Sequence, residues 1–210
     1  MGRHLEFDIS KAKNAATQLF WSKGYQAATL ELLCEHMDIS RSSFYATLGD
    51  KRTLFIACVQ VYHENWRNEF SKISTLDQLK QLAMSRFVDS KSPKAHIGCM
   101  LINTATEMAD VDDELVELLQ KMIKIGTQCR VEFFQRMGCS EPQAVRLGQF
   151  YQVFVEGLLM SSRRRVPKQK LKSVIETAFA FIESELPFWS IQILVISPAD
   201  SQVLQRQISN

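Results

Sequence analysis

The stretch TLELLCEHMDISRSSFYATLGDKRTLF, residues 29–55, determines the fold of the N-terminal part of this chain. In its first third, apolar residues recur at the spacing i, i+3, i+4 and i+7, which is typical of one face of a helix: Leu30, Leu33, Cys34 and Met37. Thr29 precedes them at an N-cap position, where its hydroxyl can accept a free backbone N–H. Asp38 and Ile39 then interrupt the pattern, which predicts that the first helix ends there.

A short second helix follows the interruption. Ser40 is placed to cap it, and Phe44 and Leu48 lie on its buried side. Its other side carries hydrogen-bond donors: Arg41, Ser42, Ser43, Tyr45 and Thr47. A turn followed by a short helix with a donor-rich outer face is typical of a helix-turn-helix, which places that second helix in the major groove of DNA.

The region around this stretch resembles the DNA-binding domain of the TetR family of bacterial transcription regulators. The resemblance covers about residues 5–56 and depends on several short segments at matching spacing: Phe7-Asp8, Ala15-Ala16, Leu19-Phe20, Lys23-Gly24-Tyr25, Ile39-Ser40-Arg41, Phe44-Tyr45 and Gly49-Asp50-Lys51. The chain departs from the family pattern at two positions, with Asp38 in place of the usual glycine in the turn and Leu48 in place of an aromatic residue. Aspartate tolerates a positive φ better than most residues, so we expect the turn to be preserved.

The resemblance implies which residues contact DNA. It assigns phosphate contacts to Tyr45 on the second helix and to Lys51 at the start of the following helix. The other predicted DNA-binding residues are Thr29, Arg41, Ser42, Ser43 and Thr47. Arginine binds guanine in a bidentate manner or contacts the backbone, so the role of Arg41 stays open between these two. The basic N-terminal segment Gly2-Arg3-His4 could reach a minor groove, with disorder of these three residues as the alternative.

Composition excludes several other classes of protein. The chain has 210 residues, 46% of them hydrophobic, and a net charge of +2. Its five cysteines are scattered without CxxC spacing and no HExxH motif occurs, so we expect no disulfide framework, no metal and no cofactor. With no signal peptide and no 18-residue apolar run, we expect a cytoplasmic protein without a membrane segment. No nucleophile–base pair is identifiable, so we expect no enzyme.

Helical periodicity continues through most of the chain, which predicts an all-α fold. Helices are expected at about 8–23, 29–37, 40–47, 51–72, 75–90, 99–109, 112–137, 141–163 and 168–185. We therefore predict a three-helix DNA-binding head at residues 1–50, with its helix-turn-helix at about 29–48. A larger helical body for effector binding and dimerisation is predicted at 51–186. Residues 187–210 form a C-terminal extension of unknown role.

The body is expected to hold a small-molecule effector, as the resemblance implies. Cys99, Asn103 and Glu107 recur at i, i+4 and i+8, so they form a polar stripe on one face of a helix. A stripe of this kind that faces an interior cavity would supply its polar contacts, whereas the alternative is a stripe that faces solvent. Phe87, Tyr151 and Phe154 are further predicted ligand-binding residues, with plain core packing as their alternative.

Cys99 also raises the possibility of a redox or electrophile sensor, because it follows Gly98 where a helix begins. A helix N-terminus lowers the pKa of a nearby thiol and favours thiolate chemistry. The alternative is a small buried apolar side chain, which is how a free cysteine usually behaves.

The two C-terminal helices, at about 141–163 and 168–185, are predicted to form a homodimer interface, since a two-fold symmetric DNA reader needs two copies to contact two half-sites. The sequence thus predicts a ligand-responsive repressor that is released from a palindromic operator by a small molecule. The alternatives are the sensor acting through Cys99 and a helical small-molecule binding protein with a degenerate DNA head.

Overall fold

The computed structural model describes residues 7–91 and 96–187 of the chain. Within these ranges the fold is all-α, as predicted, with nine α-helices in chain order: α1 Ile9–Lys23, α2 Leu30–Met37, α3 Arg41–Leu48, α4 Lys51–Ser71, α5 Leu76–Met84, α6 Met100–Glu107, α7 Asp113–Arg136, α8 Glu141–Arg163 and α9 Lys168–Glu185. The predicted N-terminal arm Gly2-Arg3-His4 and all of the predicted extension beyond Pro187 lie outside the described residues.

Side-chain caps determine where the first four helices begin. The carboxylate of Asp8 accepts the N–H groups of Ser10 and Lys11, and Thr29, Ser40 and Asp50 cap the next three helices in the same way. These caps satisfy backbone donors that have no partner inside the helix. The N-terminal helix boundaries predicted from the sequence are therefore confirmed to within a residue or two.

The fifth helix differs from its predicted extent of 75–90. Thr75 caps it as an α-helix, but the α-helical part ends at Met84, and Ser85–Asp89 continues as one π-helical turn. This turn keeps the side chain of Phe87 buried in the core of the body. A single π-helical turn is too short to alter the spacing of apolar residues along the sequence. Helical periodicity therefore did not predict it.

In the head (residues 1–50, described from residue 7), α1 packs against α2 and against α4 of the body. Three buried phenylalanines lie between them: Phe20, Phe44 and Phe55. Both departures from the family pattern are accommodated. Asp38 adopts the left-handed conformation, with φ of 55°, and ends α2 there. Leu48 is buried, so it retains the packing role of the usual aromatic residue.

The buried cluster of the head continues into the body (residues 51–186). It includes Met100 and Leu101 of α6 and Leu115, Leu119 and Met122 of α7. A second buried cluster is formed by α5, the later part of α7, α8 and α9. The predicted division at residue 50 thus falls within a continuous packed core, which joins residues of α6 and α7 to those of the head.

Candidate DNA-binding surface and interior cavity

The outer face of α3 carries five of the predicted DNA-binding residues, and three of them are exposed: Arg41, Ser42 and Tyr45. Phe44 and Leu48 turn inward and are buried, whereas Tyr45 is 59% exposed. The Tyr45 ring contacts the edge of Phe44, with ring centroids 5.5 Å apart. This contact limits the motion of the Tyr45 side chain, and its hydroxyl remains free to reach a partner beyond the protein surface.

The remaining donors of the helix-turn-helix already have partners within the protein. Arg41 forms an exposed ion pair with Glu31 of α2. The Ser40 hydroxyl lies 2.9 Å from the hydroxyls of both Ser42 and Ser43. Exposed ion pairs and hydroxyl contacts of this kind contribute little to stability, so DNA phosphates or bases can replace them at small cost.

Two other predicted DNA contacts, Thr29 and Thr47, have structural positions in the motif. The Thr29 hydroxyl accepts the N–H of Leu32 at 3.3 Å and is exposed at the N-terminus of α2. Thr47 is half-buried on α3. The Thr29 hydroxyl therefore caps α2, and the predicted DNA contacts of Thr29 and Thr47 remain predictions.

Lys51 is half-buried where α4 begins. Its ammonium donates to the backbone oxygen of Gln26 at 3.2 Å and lies 4.7 Å from the centre of the Tyr25 ring. Burial lowers the pKa of Lys51, an effect that the nearby Glu107 carboxylate opposes. The side chain therefore connects α4 to the loop between α1 and α2, and its predicted phosphate contact remains a prediction.

An interior cavity opens between α4, α6, α7 and α8. It contains about 500 Å³ of space between atoms, part of it open to solvent. Its wall carries two guanidinium groups, Arg130 on α7 and Arg86 on the π-helical turn after α5. The lining residues are Tyr62, His63, Trp66, Arg86, Cys99, Leu101, Ile102, Met122, Ile123, Gly126, Arg130, Gln152, Val155 and Leu159.

Of the six predicted ligand-binding residues, the structure places only Cys99 in this cavity. Asn103 instead donates to the backbone oxygen of Ile97 at 2.7 Å. Glu107 accepts backbone N–H groups of the head. The expectation that Cys99, Asn103 and Glu107 share one cavity-facing stripe was therefore wrong, because α6 has only eight residues and its polar side chains contact the loops at its two ends.

The three predicted aromatic ligand residues also lie outside the lining of the cavity. Phe87 and Tyr151 are buried in the second core cluster, and Phe154 lines a groove between α8 and α9. Burial raises the pKa of the Tyr151 phenol, so it stays neutral. These positions correct the expected cavity lining and agree with the core-packing alternative.

The sequence analysis missed the polar side chains that do line the cavity: His63, Arg86, Arg130 and Gln152. A signal for one of them was present, because Arg130 follows Met122 and Gly126 on the apolar side of α7. A charged residue on an apolar helix face is a site candidate, since buried charges require partners.

Cys99 occupies the N-cap position of α6 without making a capping hydrogen bond. Its sulfur accepts the Tyr62 hydroxyl at 3.7 Å, and it is half-buried in the cavity wall. Burial and the neighbouring Cys99 raise the pKa of Tyr62. A ligand in the cavity can therefore reach this sulfur.

Apolar side chains also lie exposed along α8 and α9. Val153 is 68% exposed, and Phe150, Val174 and Phe181 are each exposed by more than a third. Phe150, Val153 and Val174 line a groove at Gly157, where a Cβ atom would meet nothing within 4 Å. Phe181 packs against Phe150, with ring centroids 5.1 Å apart. We call these residues the α8–α9 face.

Two further findings apply to residues 7–91 and 96–187. In these ranges, no group of three or more His, Cys, Asp or Glu side chains is arranged to hold a metal ion. No helix there combines the length and the apolar character needed to cross a membrane.

Comparison with known proteins supports the same class of molecule. The model of the bacterial regulatory proteins of the tetR family matches residues 14–58. The HTH-type transcriptional regulator YezE of Bacillus subtilis (strain 168) is 30% identical over 129 residues, which cover 59% of this chain and 66% of YezE. The HTH-type transcriptional repressor ComR of Escherichia coli (strain K12) is 24% identical over 190 residues, 84% of this chain and 89% of ComR.

A solved structure extends the match to nearly the whole fold. A cysteine mutant of the TetR family transcriptional regulator CifR, in complex with 26-bp double-strand operator DNA, is 25% identical to this chain with a TM-score of 0.69. The match covers 85% of this chain and 98% of CifR. The fold and the α3 surface define a helix-turn-helix DNA-binding transcription regulator. The chain belongs to the TetR family.

Proposed function

We propose that this protein is a ligand-responsive repressor that binds a palindromic operator as a homodimer and is released when a small molecule occupies the interior cavity. The observation that carries the proposal is the position of α6 between cavity and head. Cys99, Leu101 and Ile102 at one end of α6 line the cavity, and Glu107 at the other end binds the backbone of the head. Eight helical residues span only about 12 Å.

A displacement of α6 on ligand binding would therefore move the loop between α1 and α2. A second connection supports the same coupling, because Arg52 near the start of α4 forms ion pairs with Asp112 and Glu114 at the start of α7. The coupling needs to supply only about 1–3 kcal/mol, which is a 5- to 150-fold change in operator affinity. The ligand must bind the released state more tightly than the DNA-bound state.

Dimerisation through α8 and α9 is supported by the exposed apolar α8–α9 face. Monomeric proteins rarely expose a contiguous apolar patch of several large side chains. Two-fold packing of this face on its own copy would cover Phe150, Val153 and Phe181, and the open space at Gly157 would admit a helix of the second protomer. The repressor direction is supported by the similarity to ComR, which is named a transcriptional repressor.

The test of the proposal is a binding measurement between the purified protein and DNA fragments from upstream of its own gene, at several salt concentrations. We expect specific, salt-sensitive binding with two protomers per palindromic site. Tyr45→Ala should weaken this binding while the circular dichroism spectrum stays unchanged. Absence of specific binding there and in a genome-wide selection for bound fragments would contradict the proposal.

A second candidate is a response to electrophiles through Cys99, and the position of its sulfur in the cavity wall favours it. In this case the thiol would add across an activated C=C bond: an S–C bond forms as the π bond breaks, and the thiol proton passes to the neighbouring carbon. Cys99→Ser should abolish release from DNA by N-ethylmaleimide and leave operator affinity unchanged. Cys129→Ser is the matched control, because Cys129 is equally half-buried but lies outside the cavity lining. Release that persists in Cys99→Ser would remove this candidate.

A further inference from the structure

The interior cavity contains a buried cation without an acidic partner. Arg130 on α7 is only 7% exposed. One terminal nitrogen, Nη1, donates to the backbone oxygen of Gly126 at 2.7 Å, and the guanidinium lies 4.7 Å from the centre of the Trp66 ring. Its Nε has no hydrogen-bond partner among the described residues. Arginine stays protonated in proteins, so this side chain places a positive charge in the cavity wall.

No carboxylate in the described part of the chain forms an ion pair with Arg130. Glu156 is the one carboxylate whose charge contributes to the pKa of Arg130, and its Oε1 accepts a hydrogen bond from Gln152. Burial is the largest effect on Arg130 and lowers its pKa, while Tyr151, Cys99, Cys129 and, last in order, Glu156 oppose it. A buried charge without an oppositely charged partner is unfavourable, and a bound anion would offset that penalty.

Other unsatisfied polar atoms lie on the same wall. His63 Nε2 and Gln152 Oε1 are both buried without a hydrogen-bond partner among the described residues. Arg86 contributes a second guanidinium, whose Nη2 donates a long hydrogen bond of 3.5 Å to the backbone oxygen of Gly98. Buried polar groups are otherwise almost always paired in proteins. Two guanidiniums and an imidazole in one cavity favour an anionic ligand.

The rest of the wall is apolar, so the anion is expected to have a hydrocarbon body. Trp66 stacks between His63 and Phe70 at centroid distances of 5.9 and 5.1 Å, which fixes the ring beside the guanidinium of Arg130. Aliphatic side chains form the remaining surface: Leu101, Ile102, Met122, Ile123, Val155 and Leu159. Inorganic phosphate would leave this surface uncovered, whereas an aromatic or short-chain carboxylate would cover it.

We propose that the interior cavity binds a small organic carboxylate, with its acid group on Arg130 and its hydrocarbon body against the aliphatic side chains of α6, α7 and α8. Arginine pairs with carboxylates in a planar, bidentate manner, which matches a single acid group at the end of an apolar body. This inference rests on the proposed function only in the effect of the ligand, which is release of the protein from DNA. The binding itself is measured on the protein without DNA.

The first test compares acids with their neutral amides on the wild-type protein. Benzoate, 2-naphthoate and octanoate would be titrated by isothermal titration calorimetry, each beside benzamide, 2-naphthamide and octanamide. We expect at least one acid to bind about 10- to 100-fold more tightly than its amide, the difference typical of a charge-assisted hydrogen bond. Equal binding of every acid and its amide, or binding of inorganic phosphate alone, would overturn the inference.

The second test assigns the acid group to Arg130. Arg130→Met should remove the preference for the acid, and Arg130→Lys should retain part of it. Arg136→Met is the matched control, because Arg136 lies on the same helix but is exposed and lines a separate surface groove. If Arg130→Met does not fold, Arg86→Met removes the second guanidinium of the same wall and should weaken the preference for the acid. An unchanged preference in the folded variants would overturn the assignment.

The outcomes for the site and for the proposed function are separable. An acid that binds but leaves operator affinity unchanged would support the site and contradict release by that ligand. A neutral compound that releases the protein from DNA, with no acid bound by the cavity, would support the proposed function and overturn the inference.

Discussion

The carboxylate of Glu107 accepts two consecutive backbone N–H groups of the head, from Tyr25 at 2.8 Å and from Gln26 at 2.7 Å. These residues lie about 80 positions apart in the sequence, and the contact connects the C-terminal end of α6 to the loop between α1 and α2. Gly24 approaches the same carboxylate so closely that a Cβ atom there would lie 2.7 Å from Glu107 Oε2. The loop between α1 and α2 therefore holds the Glu107 carboxylate both by two hydrogen bonds and by close packing at Gly24.

Replacing Glu107 should loosen this contact. Glu107→Ala is expected to lower the free energy of unfolding by about 1–3 kcal/mol, since two backbone donors lose a charged acceptor. Glu107→Gln retains one acceptor oxygen and should lose less. Urea denaturation followed by circular dichroism measures both changes. Glu117→Ala on α7 is the control, because Glu117 forms only an exposed pair with Lys121 and should cost well under about 1 kcal/mol. Equal losses in Glu107→Ala and the control would contradict this account.

Lys51 should contribute to DNA affinity through a phosphate contact. Lys51→Gln is expected to lower operator affinity and to reduce the slope of log affinity against log salt by about 1, since one counterion fewer is released. Fluorescence anisotropy with labelled operator at several salt concentrations gives the slope. Lys72→Gln provides the control from the other end of α4, where Lys72 pairs with Glu69 in solvent.

The alternative for Lys51 is structural, because its ammonium binds Gln26 and lies over Tyr25. A loss of affinity without a change of slope would indicate that Lys51 supports the loop and does not contact phosphate.

The α8–α9 face should be required for dimerisation. Val153→Glu would place a carboxylate in the centre of an apolar interface, and we expect a monomer at micromolar concentration. Analytical ultracentrifugation measures the mass. Val111→Glu is the matched control, because Val111 is 63% exposed in the turn before α7 and lies outside the α8–α9 face. A dimer that persists in Val153→Glu would place the interface elsewhere.

The sequence predicts the helices and their caps well, because those features depend on neighbouring residues. Asp8, Thr29 and Asp50 cap helices through hydrogen bonds to N–H groups two or three residues away. Contacts between distant segments were not predictable in this way. The position of α6 in the body turns Glu107 toward the head and Cys99 toward the cavity, although helical periodicity placed both on one stripe.

The surroundings of Arg130 also could not be predicted from the sequence. Its place on the apolar face of α7 is visible in the sequence, but the polar atoms that join it come from three other segments. His63 lies on α4, Arg86 on the π-helical turn and Gln152 on α8. Only tertiary packing brings these residues together, so no local pattern identifies the cavity as polar on one wall.

Position 38 should accept glycine without loss of stability, whereas a β-branched residue there should be destabilising. Its φ of 55° is left-handed, a conformation that costs other L-residues about 1–2 kcal/mol. We expect Asp38→Val to lower the free energy of unfolding by about that amount and to weaken operator binding, because the angle between α2 and α3 depends on this turn. Asp38→Gly should keep both properties. Thermal denaturation measures the stability, and a binding assay measures the operator affinity. Glu35→Val, at an exposed position of α2, is the control for losing a charge and gaining a β-branched side chain. Equal effects of Asp38→Val and Glu35→Val would show that φ is not the cause.

His63 should make the folded protein sensitive to mild acid. Burial lowers its pKa below the ordinary value of 6.5, and the charges of Arg67 and Arg130 add to the effect while Glu64 opposes it. Below pH 6.5 the unfolded chain therefore binds a proton that the folded protein does not, so this residue lowers stability as the pH falls from 6.5 toward its folded pKa. His63→Phe keeps the stacking on Trp66 and removes the proton. The melting temperature of this variant should fall less between pH 7 and pH 5 than that of the wild type, with measurements at pH 8 isolating the change in packing. An equal fall in both proteins would show that His63 is already protonated in the folded state or that other groups control the acid response.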